Sequence, residues 1–239
     1  MQHPDILNTL RDAQLAHKAG DFINALNFYE FFFNHALDDD PYALYGVRLS
    51  YCLDGWGELA LIFPGAKQRL EQKQNELLNH YLSQKNVEVF HDYYCVSKVL
   101  NKHKEALNTF CELFSTQPKS AERLVKYVWD DLIVAKKWQV CSDLLTQPSQ
   151  KIDELFAIYD EAQKLKLSNA SFDKVEFEHH LINTLLNGVS SIVQTIRHTN
   201  RVKEINALER QFHQIVDSRN EHALSRTVHA QASFLFVGH

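Results

Sequence analysis

The sequence predicts an all-α protein assembled from pairs of short helices, on three observations. Apolar residues recur at three- and four-residue intervals along nearly the whole chain. Glycine and proline are scarce, at 7 and 5 in 239 residues. Leu, Ala, Lys, Glu, Gln and Asn dominate, a composition that suits helices, and 45% hydrophobic content is ample for a core. The clearest unit is residues 87–118, VEVFHDYYCVSKVLNKHKEALNTFCELFSTQP. Phe90, Tyr93, Tyr94, Ser97 and Leu100 share one helical face, and Ala106, Leu107, Phe110, Leu113 and Phe114 share another. Asn101 to His103 break the run and Pro118 ends it. A hairpin this small buries its apolar stripe only in part, so it needs neighbours of the same kind.

Taken in order, residues 5–38 form the first hairpin. Ile6, Leu7, Leu10, Ala13, Leu15 and Ala16 lead to Ala19-Gly20-Asp21, a C-cap glycine followed by a helix start. Phe22, Ala25, Leu26, Tyr29, Phe32, Phe33 and Ala36 make the second stripe, closed by Asp38-Asp39-Asp40-Pro41, a solvated turn able to cap the next helix. A third helix is expected from Tyr42 to Leu53, ending in a turn at Asp54-Gly55-Trp56-Gly57. A fourth carries Leu59, Ala60 and Phe63 to Pro64-Gly65, where proline either kinks the helix or opens a new one. After the 87–118 hairpin come 121–135 and 138–145, broken at Lys136-Lys137. Beyond Pro148, Ile152, Leu155, Phe156, Tyr159, Ala162 and Leu165 form a face, and Ser168 to Ser171 reads as a linker. A longer helix with Leu181, Ile182, Leu185, Val189, Ile192 and Ile196 is open to interruption at Asn187-Gly188. The last carries Ile205, Leu208, Phe212 and Ile215, and either caps the open end or offers a partner helix or a seam between two copies. The apolar tail at 227–239 is an aggregation hazard unless it packs on these helices.

Spacing then links the pairs. Gly20 and Gly55 lie 35 apart, as do Ala25 and Ala60, Ala106 and Cys141, and Phe110 and Leu145. With AGDFINAL and KHKEALNTFCELFSTQP, this period resembles a tetratricopeptide repeat array over residues 5–147, as four hairpins. The distance of 46 from Ala60 to Ala106 departs from the family and implies an elongated second hairpin. The expected organisation is an array over 1–166, a helical extension over 167–226 and a tail over 227–239.

Chemistry is sparse. The formal charge is −5 without a long single-sign block, which gives no bulk argument for nucleic acid. The four cysteines, Cys52, Cys95, Cys111 and Cys141, lie inside apolar patterns without a CxxC pair, as expected of reduced thiols in a cytoplasmic protein. The N-terminus reads as neither signal peptide nor membrane span, so no membrane partner is expected. Among 13 histidines, Glu176 and His179 form a single E-x-x-H, half of what a di-iron bundle needs, and no second copy exists. No GxSxG elbow or phosphate loop is present, so no enzyme, cofactor or metal role is assigned. Arg197, Arg201, Lys203, Arg210, Arg219 and Arg226 are interleaved with Glu204, Glu209, Asp217 and Glu221, which leaves an enzyme or RNA binder using the C-terminal helices as the alternative of lower rank.

The resemblance implies a protein–protein interaction scaffold, adaptor or chaperone-like holder whose first helices line a concave groove. It points to Arg11, Gln14 and Lys18, then Tyr45 with Leu49 and Cys52, then His91, Asp92, Cys95 and Lys98, and finally Lys126, Tyr127 and Asp130. Leu49 and Cys52 are expected to pack between hairpins. The family's carboxylate clamp needs Lys and Asn where this chain has Leu10 and Gln14, so that peptide class is not implied. The remaining mixture suits a peptide or helical segment held by a few anchors.

Overall fold

The computed structural model describes residues 6–168 and 174–219, together with Leu224, Thr227, Val228, Leu235 and Phe236. Among these residues all regular structure is helical. The order is α1 Ile6–Ala19, α2 Phe22–His35, α3 over residues 45–62, α4 Pro64–Gln84, α5 Val87–Val99 and α6 His103–Thr116. There follow α7 Pro118–Glu122, α8 Val125–Val134, α9 Trp138–Leu144, α10 Pro148–Ser168, α11 Lys174–His198 and α12 Ile205–Asp217. α3 is continuous but not uniform, because Arg48–Cys52 forms a π-helical turn between Tyr45–Val47 and Leu53–Ile62. The chain divides into two compact units, residues 1–128 and 129–239.

In the first unit consecutive helices pack on one another from α1 to α7, and α3 also packs on α5. Local chemistry sets the turns. Gly20 takes a φ of +78°, open to it without a Cβ penalty, and Asp21 caps α2 by accepting from the Asn24 amide at 3.3 Å. Asn86 caps α5, its Oδ1 accepting from the amides of Glu88 at 2.8 Å and Val89 at 3.3 Å. Asn101 and Lys136 both adopt left-handed φ, at 58° and 55°, ending α5 and α8. Pro64 resolves the alternatives left at Pro64-Gly65. It starts a new helix at N1, after an extended Phe63. Asp40 accepts from the amides of Tyr42 and Ala43, at 2.8 and 3.3 Å, in the turn that leads into α3.

The turn expected at Asp54-Gly55-Trp56-Gly57 is corrected: these residues lie inside α3. The glycines serve close approach rather than chain reversal. A Cβ on Gly55 would sit 2.5 Å from the Tyr29 hydroxyl oxygen, and one on Gly57 would fall within the Val99 side chain. Between them Trp56 is fully buried, edge-on to Phe33 at 6.1 Å, with its indole N–H donating to the Ala66 carbonyl at 3.3 Å. The 35-residue offset therefore joins Gly20, in a turn, to Gly55, inside a helix, and Ala25 of α2 to Ala60 of α3. The later offset joins like positions, since Ala106 and Cys141 are both fully buried near the starts of α6 and α9.

The second unit has its own core from α10, α11 and α12, including Ile152, Phe156, Ile182, Val189, Ile196, Leu208 and Phe212. α11 is not interrupted at Asn187-Gly188. Leu155 of α10 packs against Gly188, 2.7 Å from where a Cβ would stand. From the tail, Val228 and Phe236 are buried in this core, Phe236 at 5.7 Å from the Phe212 ring. Residues 169–171 of the expected linker and residues 229–234 and 237–239 of the tail lie outside the described residues. No helix among the described residues is long and apolar enough to cross a membrane.

Candidate functional site

The first unit brings α3, α5 and the start of α8 together around one buried ion pair. Arg48 falls on the inward face of α3, within the π turn, and is only 5% exposed. Its Nη2 donates to Asp92 Oδ1 at 2.5 Å, and Asp92 of α5 is itself 7% exposed. Phe33 and Tyr45 flank the guanidinium, at 4.5 and 5.6 Å from its carbon to the ring centroids. Nη1 donates to the Phe33 carbonyl at 3.5 Å, while Nε is buried with no hydrogen-bond partner among the described residues. Burial raises the Asp92 pKa, against the opposing pull of Arg48.

Over this pair lies an aromatic layer. His91 stacks on Tyr127 at 3.9 Å with 10° between the planes, and its Nδ1 lies 2.8 Å from the Tyr45 hydroxyl. Burial, then the charges of Lys126, Arg48 and Lys98, push the His91 pKa down to about 4. Burial and the Asp92 carboxylate push the Tyr45 pKa up. Tyr45 therefore keeps its proton and shares a hydrogen bond with a neutral imidazole. Lys126 Nζ sits 4.7 Å from the Tyr127 centroid, and Lys98 Nζ 5.5 Å from that of Tyr94; both lysines are exposed.

A pH dependence arises from His91. Its native pKa, about 4, lies below the ordinary 6.5, so the unfolded chain binds more protons between these values. Stability is full above pH 6.5 and is lost as pH falls toward about 4, by about 1–3 kcal/mol. Urea denaturation between pH 7 and pH 4 should show this slope, and His91→Gln should flatten it.

Of the residues read from the sequence, Tyr45, His91, Asp92, Lys126 and Tyr127 meet in this cluster, with Lys98 beside it. Asp92 is corrected from a groove-lining to a buried position, because its carboxylate is consumed by Arg48. Arg11, Gln14 and Lys18 lie on α1, and no hydrogen bond, ion pair or ring contact among the described residues joins them to the cluster. Asp130 is exposed on α8 and belongs to the second unit. Cys52 is fully buried, its thiol donating to the Tyr29 carbonyl at 3.4 Å, and Leu49 packs partly buried against the same core. Arg48 is the residue that sequence reasoning misses. Its spacing from Tyr45 and Cys52 puts a charge on the inward face of an apolar helix, and that is the available signal.

In the second unit Arg201 is held by Glu204 and donates to the carbonyls of Ser142 and Leu145, at 3.3 and 2.9 Å. Arg219 pairs with Asp160 and lies over the Phe156 ring. These cations serve the unit's own packing; Arg226 and Glu221 lie outside the described residues. No family model, curated protein or solved structure matches the chain.

Proposed function

We propose that this chain is a protein–protein interaction module, a helical-hairpin array resembling tetratricopeptide repeats. It holds a peptide or helical segment of another protein on the surface above the Arg48–Asp92 pair. The observation that carries the reading is the convergence there of Tyr45, His91 and Tyr127, half-buried and fixed against one another, with exposed Lys98 and Lys126 beside them. Rigid aromatic groups ringed by basic side chains are the anchors that binding surfaces favour. The buried pair beneath them pre-orders the rings and lowers the entropy lost on binding.

The repeat reading draws support from the sequential packing of α1 to α6, from the α3–α5 contact, and from the left-handed turns at Asn101 and Lys136, 35 residues apart. Binding is favoured over catalysis at the cluster. Burial and Asp92 hold the Cys95 thiol up at about 11 while His91 is held down near 4, so neither a thiolate nor a useful base is supplied at neutral pH.

The test is an affinity pull-down comparing wild type with Lys98→Glu/Lys126→Glu. A captured protein should be released by the double change, with an unaltered melting curve. Undiminished capture would rule the surface out and turn attention to the C-terminal helices. There, RNA affinity falling steeply with salt would favour the alternative of a nucleic-acid binder.

A further inference from the structure

If the surface over Arg48–Asp92 is the binding face, as proposed above, its charge selects the occupant. Glu88, His91, Cys95 and Lys98 fall on one face of α5, at offsets of three, seven and ten residues. Lys98 stands two helical turns beyond His91, about 10 Å along the axis. Tyr127, stacked on His91, brings a second ammonium to the rings, with Lys126 Nζ 4.7 Å from the Tyr127 centroid. Both lysines are exposed. Lys126 forms no ion pair among the described residues, Asp130 one turn further along α8 included. Asp92 does not offset these charges at the surface, because it is 7% exposed and bonded to Arg48. Glu88 is the exposed carboxylate of the α5 stripe, set against two ammonium groups.

His91 registers the imbalance. Besides burial, the charges of Lys126, Arg48 and Lys98 disfavour its protonated form, and the opposing effect of Glu88 is the smallest of these. The potential at the ring is thus positive, in a chain whose formal charge is −5. Such a patch attracts a partner of opposite sign and orients it on approach. Two ammonium groups beside one stacked ring pair suit one or two carboxylates. A nucleic-acid backbone calls for a longer row of cations.

We propose that this surface binds an acidic peptide segment of a partner protein, whose Asp or Glu side chains pair with Lys126 and Lys98. An apolar neighbour in the peptide packs against the edges of the His91 and Tyr127 rings. The carboxylates are those of side chains within the segment. A free C-terminus is not required, in keeping with Leu10 and Gln14 where a clamp for terminal carboxylates would need Lys and Asn. Because the two rings are half-buried, apolar contact is confined to their edges and charge carries the selectivity. Binding is therefore salt-sensitive.

The experiment is selection of a random twelve-residue phage library on the full chain, followed by titration of the best peptide, synthesised with an amidated C-terminus. Enriched peptides are expected to carry Asp or Glu next to an apolar residue. Lys126→Glu should weaken binding about tenfold, Lys126→Gln about threefold, and Glu88→Gln should tighten it about twofold. Lys18→Glu, the same charge change on α1, should leave it unchanged. A peptide with Lys in place of each acidic residue should bind Lys98→Glu/Lys126→Glu better than wild type, a rescue that a purely structural role for the lysines would not give. Peptides without acidic residues that Lys98→Glu/Lys126→Glu still releases would overturn the acidic occupant and leave the binding surface standing. No enrichment, or affinity indifferent to Lys126 and Glu88, would overturn both. Tighter binding of a twelve-nucleotide RNA that displaces the peptide would also overturn the proposal, in favour of nucleic acid.

Discussion

Asp92→Ala is expected to destabilise the first unit by about 3–5 kcal/mol, because it strands a guanidinium that water does not reach. Arg48 is 5% exposed, its Nε already lacks an acceptor, and its Nη1 contact with Phe33 is long at 3.5 Å. Without Asp92 the charge would keep only the faces of Phe33 and Tyr45. Replacing both partners, Arg48→Met with Asp92→Leu, should recover most of the loss, since a buried pair is worth little against apolar residues of similar volume. Urea denaturation followed by circular dichroism separates the cases. A loss below about 1 kcal/mol for Asp92→Ala would mean that water solvates the guanidinium and that the pair is not a rigid floor for His91 and Tyr127.

Trp56→Ala should cost a similar amount, about 3–5 kcal/mol. The side chain is fully buried between α2, α3 and α4, against Phe33, and its N–H donates to the Ala66 carbonyl in the first turn of α4. Truncation opens a large cavity and removes that hydrogen bond, while the carbonyl keeps its place in the helical ladder of α4, so the cavity sets most of the cost. Trp56→Phe loses the hydrogen bond but keeps most of the volume, and its smaller loss apportions the two. Equal losses in the two variants would assign the effect to the hydrogen bond instead of the cavity.

Trp56 also shows where sequence reading succeeds and fails. Apolar periodicity locates α1, α2, α5 and α6 closely, because each has a continuous stripe and a recognisable end: Gly20 with Asp21, Asn101, Pro118. The same reasoning puts a turn at Gly55-Trp56-Gly57, since glycine punctuates chains and periodicity carries only local context. The reason those residues lack side chains lies in Tyr29 and Val99, far away in sequence. Gly188 misleads on the same grounds, its cause being Leu155. The proposed binding surface is legible as residue types on first helices, at Tyr45, His91, Lys126 and Tyr127. Its foundation is not, because the match of Arg48 to Asp92 spans 44 residues and leaves no periodic trace.

Gly55 and Gly57 carry a mechanical consequence. Each is a notch in α3, one filled by the Tyr29 ring from α2 and the other by a Val99 methyl from α5. The turns above and below each notch carry side chains, so a helix that slid along its neighbour would have to climb out of it. The two notches act as detents against shear on the contacts of α3 with α2 and with α5. A partner meeting this unit would therefore find helices that hold their axial positions, and accommodation would fall to the swing of exposed lysine side chains.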